Sequence, residues 1–199
     1  MKRIFSLCVV SIAAIGVTAG LATASASATV LCKTAPVGNV CPTSAVYPVG
    51  TEIKSSITNP AVFSYEGSTI QTCSGSVLNT TITSAGGEGL PVVTSNSAYS
   101  FSGCTRSFIN ELLGTSEINW TTGNNGKFQR RSNNSFNWNS VFGTCHEEVA
   151  GAAELVSSSS QIVFNHAGVI RNAGSCWPIV FLDAAYKISS PSPIYVASH

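Results

Sequence analysis

Hydrophobic and polar residues alternate with a period of two along much of the chain, in short runs separated by turn residues. The clearest run is Ile179 to Ile188, where Asp183 and Lys187 lie on one face. The opposite face is entirely apolar, consisting of Val180, Leu182, Ala184, Tyr186 and Ile188. Such alternation is typical of a strand that is buried on one side. The chain is therefore expected to form strands rather than helices.

Further strands are predicted wherever such a run stands between glycine, proline or asparagine residues. They are Thr51–Ile57, Ala61–Tyr65, Ser68–Cys73, Ser76–Thr83, Val92–Thr94, Ala98–Phe101, Glu117–Thr122, Lys127–Arg131, Ser135–Phe142, Gln161–Ile170 and Ile194–Val196. Gly75 is expected to separate the third strand from the fourth. Short helical turns are predicted at Phe108–Leu113 and Ala150–Val156. The spacing favours one all-β domain, an antiparallel sandwich or a barrel-like fold.

The first residues depart from this pattern and are typical of a secretory signal peptide. Lys2 and Arg3 precede an apolar stretch that ends in small residues, and cleavage after Ala26 or after Ala28 fits. We take the second site, so that residues 29–199 form the domain. An uncleaved membrane anchor is the alternative, but serine, threonine and glycine interrupt the apolar stretch. The protein is expected to be secreted or held at the cell surface, without membrane contact after cleavage.

Six cysteines remain once Cys8 has left with the signal peptide. An even number in an exported chain predicts disulfide bonds, of which three could form. Fifteen pairings are possible for six cysteines, and we favour the sequential one. It joins Cys32 with Cys41, Cys73 with Cys104, and Cys145 with Cys176. No C-x-x-C motif is present, so neither a zinc site nor any other cofactor is predicted.

The charge of the chain argues against several classes of partner. Ten Lys and Arg residues nearly balance nine Asp and Glu residues, and loss of Lys2 and Arg3 takes the net charge just below zero. Nucleic acids and anionic membranes attract strongly basic surfaces. Neither is therefore expected as a partner, and the polar surface is built instead from serine, threonine and asparagine.

The stretch CWPIVFLDAAYKISSPSPIYV, Cys176 to Val196, resembles the C-terminal signature of a large set of uncharacterised bacterial exported proteins. Those proteins end in a Cys-Pro-like turn, an aromatic strand and a Pro-x-Pro-[Leu/Ile]-Tyr-Val motif. YPVGTEIKSSI, TIQTCSGS and FSGC match the same set, although Trp177 here separates Cys176 from Pro178. The resemblance implies an exported β protein and supplies no activity.

The stretch FGTCHEEVAG places a cysteine, a histidine and two carboxylates side by side. An oxidised Cys145 offers neither a nucleophile nor a metal ligand. His146 and Glu148 then form either a functional pair or the polar end of a strand beside a disulfide, and the second interpretation is preferred. Glu147 and Glu148 should point to opposite faces of a strand and cannot act as a catalytic carboxylate pair.

An extracellular hydrolase is one alternative function, with acid–base groups from His146, His166, Asp183 and a glutamate. The candidate glutamates are Glu52, Glu66, Glu88, Glu111, Glu117 and Glu154. No G-x-S-x-G motif supports this function. His166 shares the predicted strand face of Ile162 and Phe164, so it is expected to be a hydrogen-bonded core residue.

The strongest candidate for binding is NGKFQRRSNNSFNWNS, Asn125 to Ser140. We predict that Trp138, Arg130, Arg131 and the nearby Trp120 bind a ligand, since aromatic rings among amides suit sugars. The alternative is a polar hairpin whose Phe and Trp side chains enter the core. The sequence thus favours an exported, non-catalytic β domain with a structural or interaction role. A module that binds carbohydrate or cell-wall polymer is a further alternative.

Overall fold

A computed structural model gives the structure of residues 28–198, apart from residues 113, 133, 134 and 142. The predicted signal peptide lies outside the described residues except for Ala28, which is buried against the domain. No helix in the described part of the chain is long and apolar enough to cross a membrane.

The described chain is almost entirely β-structure, joined by tight turns and two short 3₁₀ turns, Thr43–Ala45 and Ser157–Ser159. The strands are β1 (Val30–Cys32), β2 (Glu52–Ile57), β3 (Ala61–Tyr65), β4 (Ser68–Ser84), β5 (Val92–Cys104), β6 (Phe108–Leu112), β7 (Thr115–Trp120), β8 (Gly126–Ser132), β9 (Ser135–Ser140), β10 (Gly143–Val149), β11 (Ala153–Val156), β12 (Gln161–Ala173), β13 (Ile179–Ser190) and β14 (Tyr195–Ala197). The predicted all-β antiparallel fold is confirmed.

Four long strands, β4, β5, β12 and β13, run through the molecule, and shorter strands complete each half. In one half, pairing runs from β13 through β2, β4, β5, β7, β8 and β11 to β12, which pairs again with β13. The sheet therefore closes into a ring, and we call this part the ring. In the other half, β3 lies between β13 and β4, while β10, β9 and β6 extend outward from β12. These last three strands are called the wing.

An aromatic cluster fills the interior where the wing faces the long strands. Phe63 lies at its centre, with ring centroids 5.4 Å from Phe101 and 5.9 Å from Phe136. Trp138 stacks nearly parallel on Trp177, with centroids 6.0 Å apart. Side chains that alternate inward from neighbouring strands thus meet in one core.

The two ends of the domain come together and cover one opening of the ring. β1 pairs with β14 along its whole length. The backbone N–H of Trp120 donates to Thr29 Oγ1 at 2.9 Å, and Val196 N–H donates to the Asn124 carbonyl at 2.9 Å. Tyr47 Oη donates to the Pro193 carbonyl at 2.9 Å. The terminal ribbon is therefore fixed to the ring by hydrogen bonds from several different loops.

All three predicted disulfides are present in the sequential pairing, which confirms that prediction. Cys32–Cys41 braces the loop after β1. Cys73–Cys104 joins residues that face each other across β4 and β5. Cys145–Cys176 ties the wing to the turn before β13.

The prediction that Gly75 separates two strands is wrong, because β4 runs continuously from Ser68 to Ser84. β5 is likewise one strand where two were expected. A Cβ at Gly75 would lie 2.3 Å from Ser102 Oγ on β5. The glycine therefore accommodates a close neighbouring strand instead of ending its own.

The two predicted helical turns are wrong. Phe108–Leu112 forms β6 along the edge of β9, and Ala153–Val156 forms β11 between β8 and β12. β6 pairs with a strand more than 20 residues along the chain, and β11 is held on one side by the equally distant β8 and on the other by β12, which follows it directly. Long-range pairing has outweighed the local pattern, as is common for short strands.

Gly151→Ala should destabilise the fold by about 2 kcal/mol or more, because the new methyl group would meet backbone that has no room to move. Its Cβ would lie 2.4 Å from Gly168 N, and Gly151 N–H already donates to Gly168 O at 2.7 Å. Gly168→Ala is the matched control, since the nearest atom to its Cβ is Ile179 Cδ1 at 3.6 Å. Urea unfolding would compare the two variants, and equal losses of stability would contradict the predicted contact.

Candidate functional site

The four residues predicted to bind a ligand do not share one surface. Trp138 is only 1% exposed and belongs to the aromatic cluster. Trp120 is half-buried in the ring, where its Nε1–H donates to the Gly123 carbonyl at 2.7 Å, and Arg131 is exposed on β8. The alternative prediction, in which the aromatic residues of this segment enter the core, is confirmed for Trp138, Phe128 and Phe136.

Arg130, the fourth predicted residue, faces inward at the point where β8 separates from β11. Its guanidinium forms an ion pair with Glu148 on β10. It also lines an internal cavity of about 20 Å³ together with Asn96 and Tyr99. A cavity of that volume holds roughly one water molecule, so it is too small for an organic ligand.

The cysteine, histidine and carboxylates of β10 point in different directions. Cys145 is buried in its disulfide, and His146 Nδ1 lies 2.6 Å from Asn137 Oδ1 on the outer face. Glu148 engages Arg130, whereas Glu147 points inward and is fully buried. His146 and Glu148 therefore have separate partners, and the predicted opposite orientation of Glu147 and Glu148 is confirmed.

His166 faces solvent, which corrects the prediction that it shares the apolar face of Ile162 and Phe164. Pairing between β12 and β13 shifts register between Phe164 and Ala167, so one extra residue is accommodated in β12. His166 has φ 53°, in the left-handed region. This β-bulge turns both Asn165 and His166 outward and returns Ala167 to the core.

The bulge holds His166 in a defined position. Its backbone N–H donates to Asp183 Oδ1 at 2.7 Å, and its Nδ1 lies 3.8 Å from Asp183 Oδ2. The imidazole stacks on Phe181 with centroids 3.9 Å apart and planes 6° apart. Two residues of β13 therefore orient His166: Asp183 accepts its backbone hydrogen bond, and Phe181 provides an apolar surface for its ring.

A surface groove of about 450 Å³ lies next to the bulge. Small and apolar residues form its floor, including Ala152, Val163 and Ala185. Its polar groups come from four different parts of the chain and are Asn59, Glu154, Asn165 and Asp183. A second depression of about 300 Å³ adjoins it, sharing Ala152 and Glu154 and adding Thr121 and Lys127. We call the two depressions together the groove.

The two carboxylates of the groove are well separated. Glu154 is paired with Val163, which is paired with Ala185, two residues from Asp183. Strand spacings of about 4.8 Å and a rise of about 3.3 Å per residue place the two Cα atoms roughly 12 Å apart. The two carboxylates therefore stand on different strands of the same outer face, with Val163 and Ala185 between them.

Glu154 is also bordered by a cation and an amide. Lys127 lies directly opposite it on β8, and Asn125 Nδ2 donates to Glu154 Oε1 at 3.4 Å. The groove thus presents mixed charge at one end and a carboxylate beside an imidazole at the other. Among the described residues, no three His, Cys, Asp or Glu side chains are grouped to hold a metal ion.

Sequence reasoning missed most of the groove for identifiable reasons. Glu154 was assigned to a helical turn, and His166 was assigned to the wrong face because no glycine marks the bulge. The outward orientation of Asp183 was predicted, and it is the signal that would have led to the site. The Asn59-Pro60 turn was visible only as a strand boundary.

Comparison with known proteins does not assign this chain to a family. No protein-family model matches the chain, and neither the curated proteins nor the solved structures contain a match.

Asp183→Ala should lower stability by about 1 kcal/mol, because the N–H of His166 in the bulge loses its acceptor in a partly solvated position. Asp183→Asn retains a side-chain oxygen and should lose about half as much. Urea unfolding would give both values, and the NMR signals of His166 would report whether its ring still lies on Phe181. Unchanged stability and ring position in the alanine variant would show that Asp183 does not hold the bulge.

Proposed function

We propose that this chain is an exported, non-catalytic binding domain that acts outside the cell. Its groove would hold a hydroxyl-rich extracellular polymer such as a cell-wall polysaccharide. The three disulfides support the location, since such bonds persist in oxidising compartments. The signal-peptide pattern at the start of the sequence supports export.

The groove carries the proposal about the ligand. The larger of its two depressions, at about 450 Å³, falls within the roughly 300 to 1,000 Å³ usual for small-molecule sites. Carboxylate oxygens accept hydrogen bonds and side-chain amides both donate and accept, so together they match the paired hydroxyls of a sugar. Glu154, Asn165 and Asp183 stand on a hydrogen-bonded sheet, which limits the entropy lost when a ligand binds.

His166 adds a flat surface at the edge of the groove. One face of its ring lies on Phe181, and its side chain is 57% exposed. A sugar ring places its C–H groups against such a planar surface while its hydroxyls reach neighbouring polar groups. Asn165 and Asp183 lie beside this surface to receive them.

A double variant, Glu154→Ala with Asn165→Ala, should weaken retention on insoluble cell-wall polysaccharide by about tenfold, equivalent to about 1.4 kcal/mol. It removes one polar group from each side of the groove while leaving the floor intact. Glu52→Ala is the control, because Glu52 is exposed on β2, where it pairs with Lys54 outside the groove. A glycan array would identify the preferred sugar.

The same experiment can reject the proposal. Complete recovery of the unmodified protein in the supernatant with every polysaccharide tested would argue against polymer binding. Equal losses in the double variant and in the control would place the binding surface elsewhere.

An extracellular hydrolase is the second candidate function, favoured by the pairing of His166 with Asp183. A histidine oriented by a carboxylate supplies two of the three members of a nucleophilic triad, and the third would be a serine or cysteine nucleophile. A panel of esterase, peptidase and glycosidase substrates would test this. Activity that disappears in His166→Ala would replace the binding proposal with an enzymatic one.

A further inference from the structure

Glu147 is a carboxylic acid enclosed in the core of the molecule. It shares the inward face of β10 with Cys145 and Val149 and lies opposite Phe136 on β9. Its side chain is 0% exposed, and neither carboxyl oxygen has a described donor in full hydrogen-bonding geometry, although the indole N–H of Trp138 is near enough to act on it. Buried carboxyl groups are usually paired or hydrogen-bonded, so this arrangement is unusual.

No cation neutralises Glu147 from the described strands around it. Arg171, its cross-strand neighbour on β12, is exposed, and its guanidinium donates to the Cys176 carbonyl at 2.8 Å. Arg130 on β8 pairs with Glu148. Other titratable groups on these strands include His146 on the outer face of β10, Tyr65 on β3, Tyr99 on β5 and Tyr186 on β13. His166 on β12 and Asp183 and Lys187 on β13 lie on the outer face of the sheet.

Burial makes the charged form of this group unfavourable. Loss of hydration raises the pKa of Glu147 to about 7, from an ordinary value of 4.5. The indole N–H of Trp138 acts in the opposite direction, and this smaller effect lowers the pKa. The carboxyl group therefore changes charge near neutral pH, inside the aromatic cluster.

The wing that carries Glu147 is attached to the rest of the sheet along one side. In the described chain, its registered backbone pairing to other strands runs through β10 and β12, over His146 to Val149. The register shifts between His146 and Glu147, so the attachment is irregular at the carboxyl group itself. Cys145–Cys176 provides a covalent tether beside it. The wing can thus loosen without separating from the domain.

We propose that Glu147 makes the wing a pH-responsive element of the fold. Its neutral carboxyl group permits β9 and β10 to pack against the aromatic cluster, and its ionisation loosens that packing. The ionised group gains water when the wing opens, and this hydration is the driving force for opening.

The direction of the effect follows from proton binding. The closed form holds its proton up to a pH of about 7, whereas an exposed glutamate releases it near 4.5. Between these values the closed form binds more protons, so its stability falls as pH rises. The stabilising contribution is complete below the lower value and is lost as pH rises through the upper one. Raising the pH should therefore open the wing.

Hydrogen exchange measured by mass spectrometry, with the disulfides intact, tests this directly. After correction for the intrinsic exchange rate, the opening constant of β9 and β10 should increase on the order of 50-fold from about pH 5 to about pH 7.5. Hydrogen exchange in β2, and in the part of β4 that pairs with β2, should change much less over the same pH range. In Glu147→Gln the increase in the wing should disappear, since the amide does not titrate in this range.

The measured quantity is the change of the opening constant with pH. A loss of stability that is the same at every pH therefore does not affect the result. Glu52→Gln is the control and should retain the slope of the unmodified protein. A wing slope that persists in Glu147→Gln would overturn the proposal. If that variant does not fold, parallel slopes in the wing and in β2 of the unmodified protein would overturn it equally.

Discussion

The pairing of β12 with β13 is the interaction on which the rest of the structure depends. At one end of this pair, β11 and β2 close the ring, and at the other end, β10 and β3 begin the second half. Both strands run the length of the molecule, so a shift of one residue between them would exchange inward and outward side chains in both halves. Burial of Val180, Leu182 and Tyr186 on one face of β13 opposes such a shift.

The bulge in β12 is tolerated because it lies inside this strongly specified pair. Ile162 to Phe164 and Ala167 to Ile170 are held in register on either side, so the extra residue is confined to Asn165 and His166. Because the bulge is confined in this way, the side chains of Asn165 and His166 are held in a fixed outward orientation. The groove depends on this, since its floor is the regular part of the same strands and one of its polar groups, Asn165, comes from the bulge.

The sequence was sufficient to predict strands with a clear period-two alternation and the presence of disulfide bonds. The strand at Ile179–Ile188, the short final strand and the presence of disulfides follow from residue types and spacing, whereas the sequential pairing was favoured among fifteen possible ones. It failed where the deciding partner is distant. Gly75 was interpreted as a break because Ser102, whose hydroxyl lies against it, is on another strand. The bulge at His166 was missed for the same reason, since Asp183 and Phe181 hold it from β13.

The same residue class has opposite consequences on the two faces of this sheet. Asp183 stands on the outer face, where water and the His166 N–H stabilise its charge, so it can take part in ligand binding without disturbing the core. Glu147 stands on the inner face, where the indole N–H of Trp138 does not offset the water that the carboxyl group has lost. A hydrophobic residue at this position would make the folded protein more stable at neutral pH. The carboxyl group therefore gives the wing a dependence on pH that an apolar side chain of similar size would not provide.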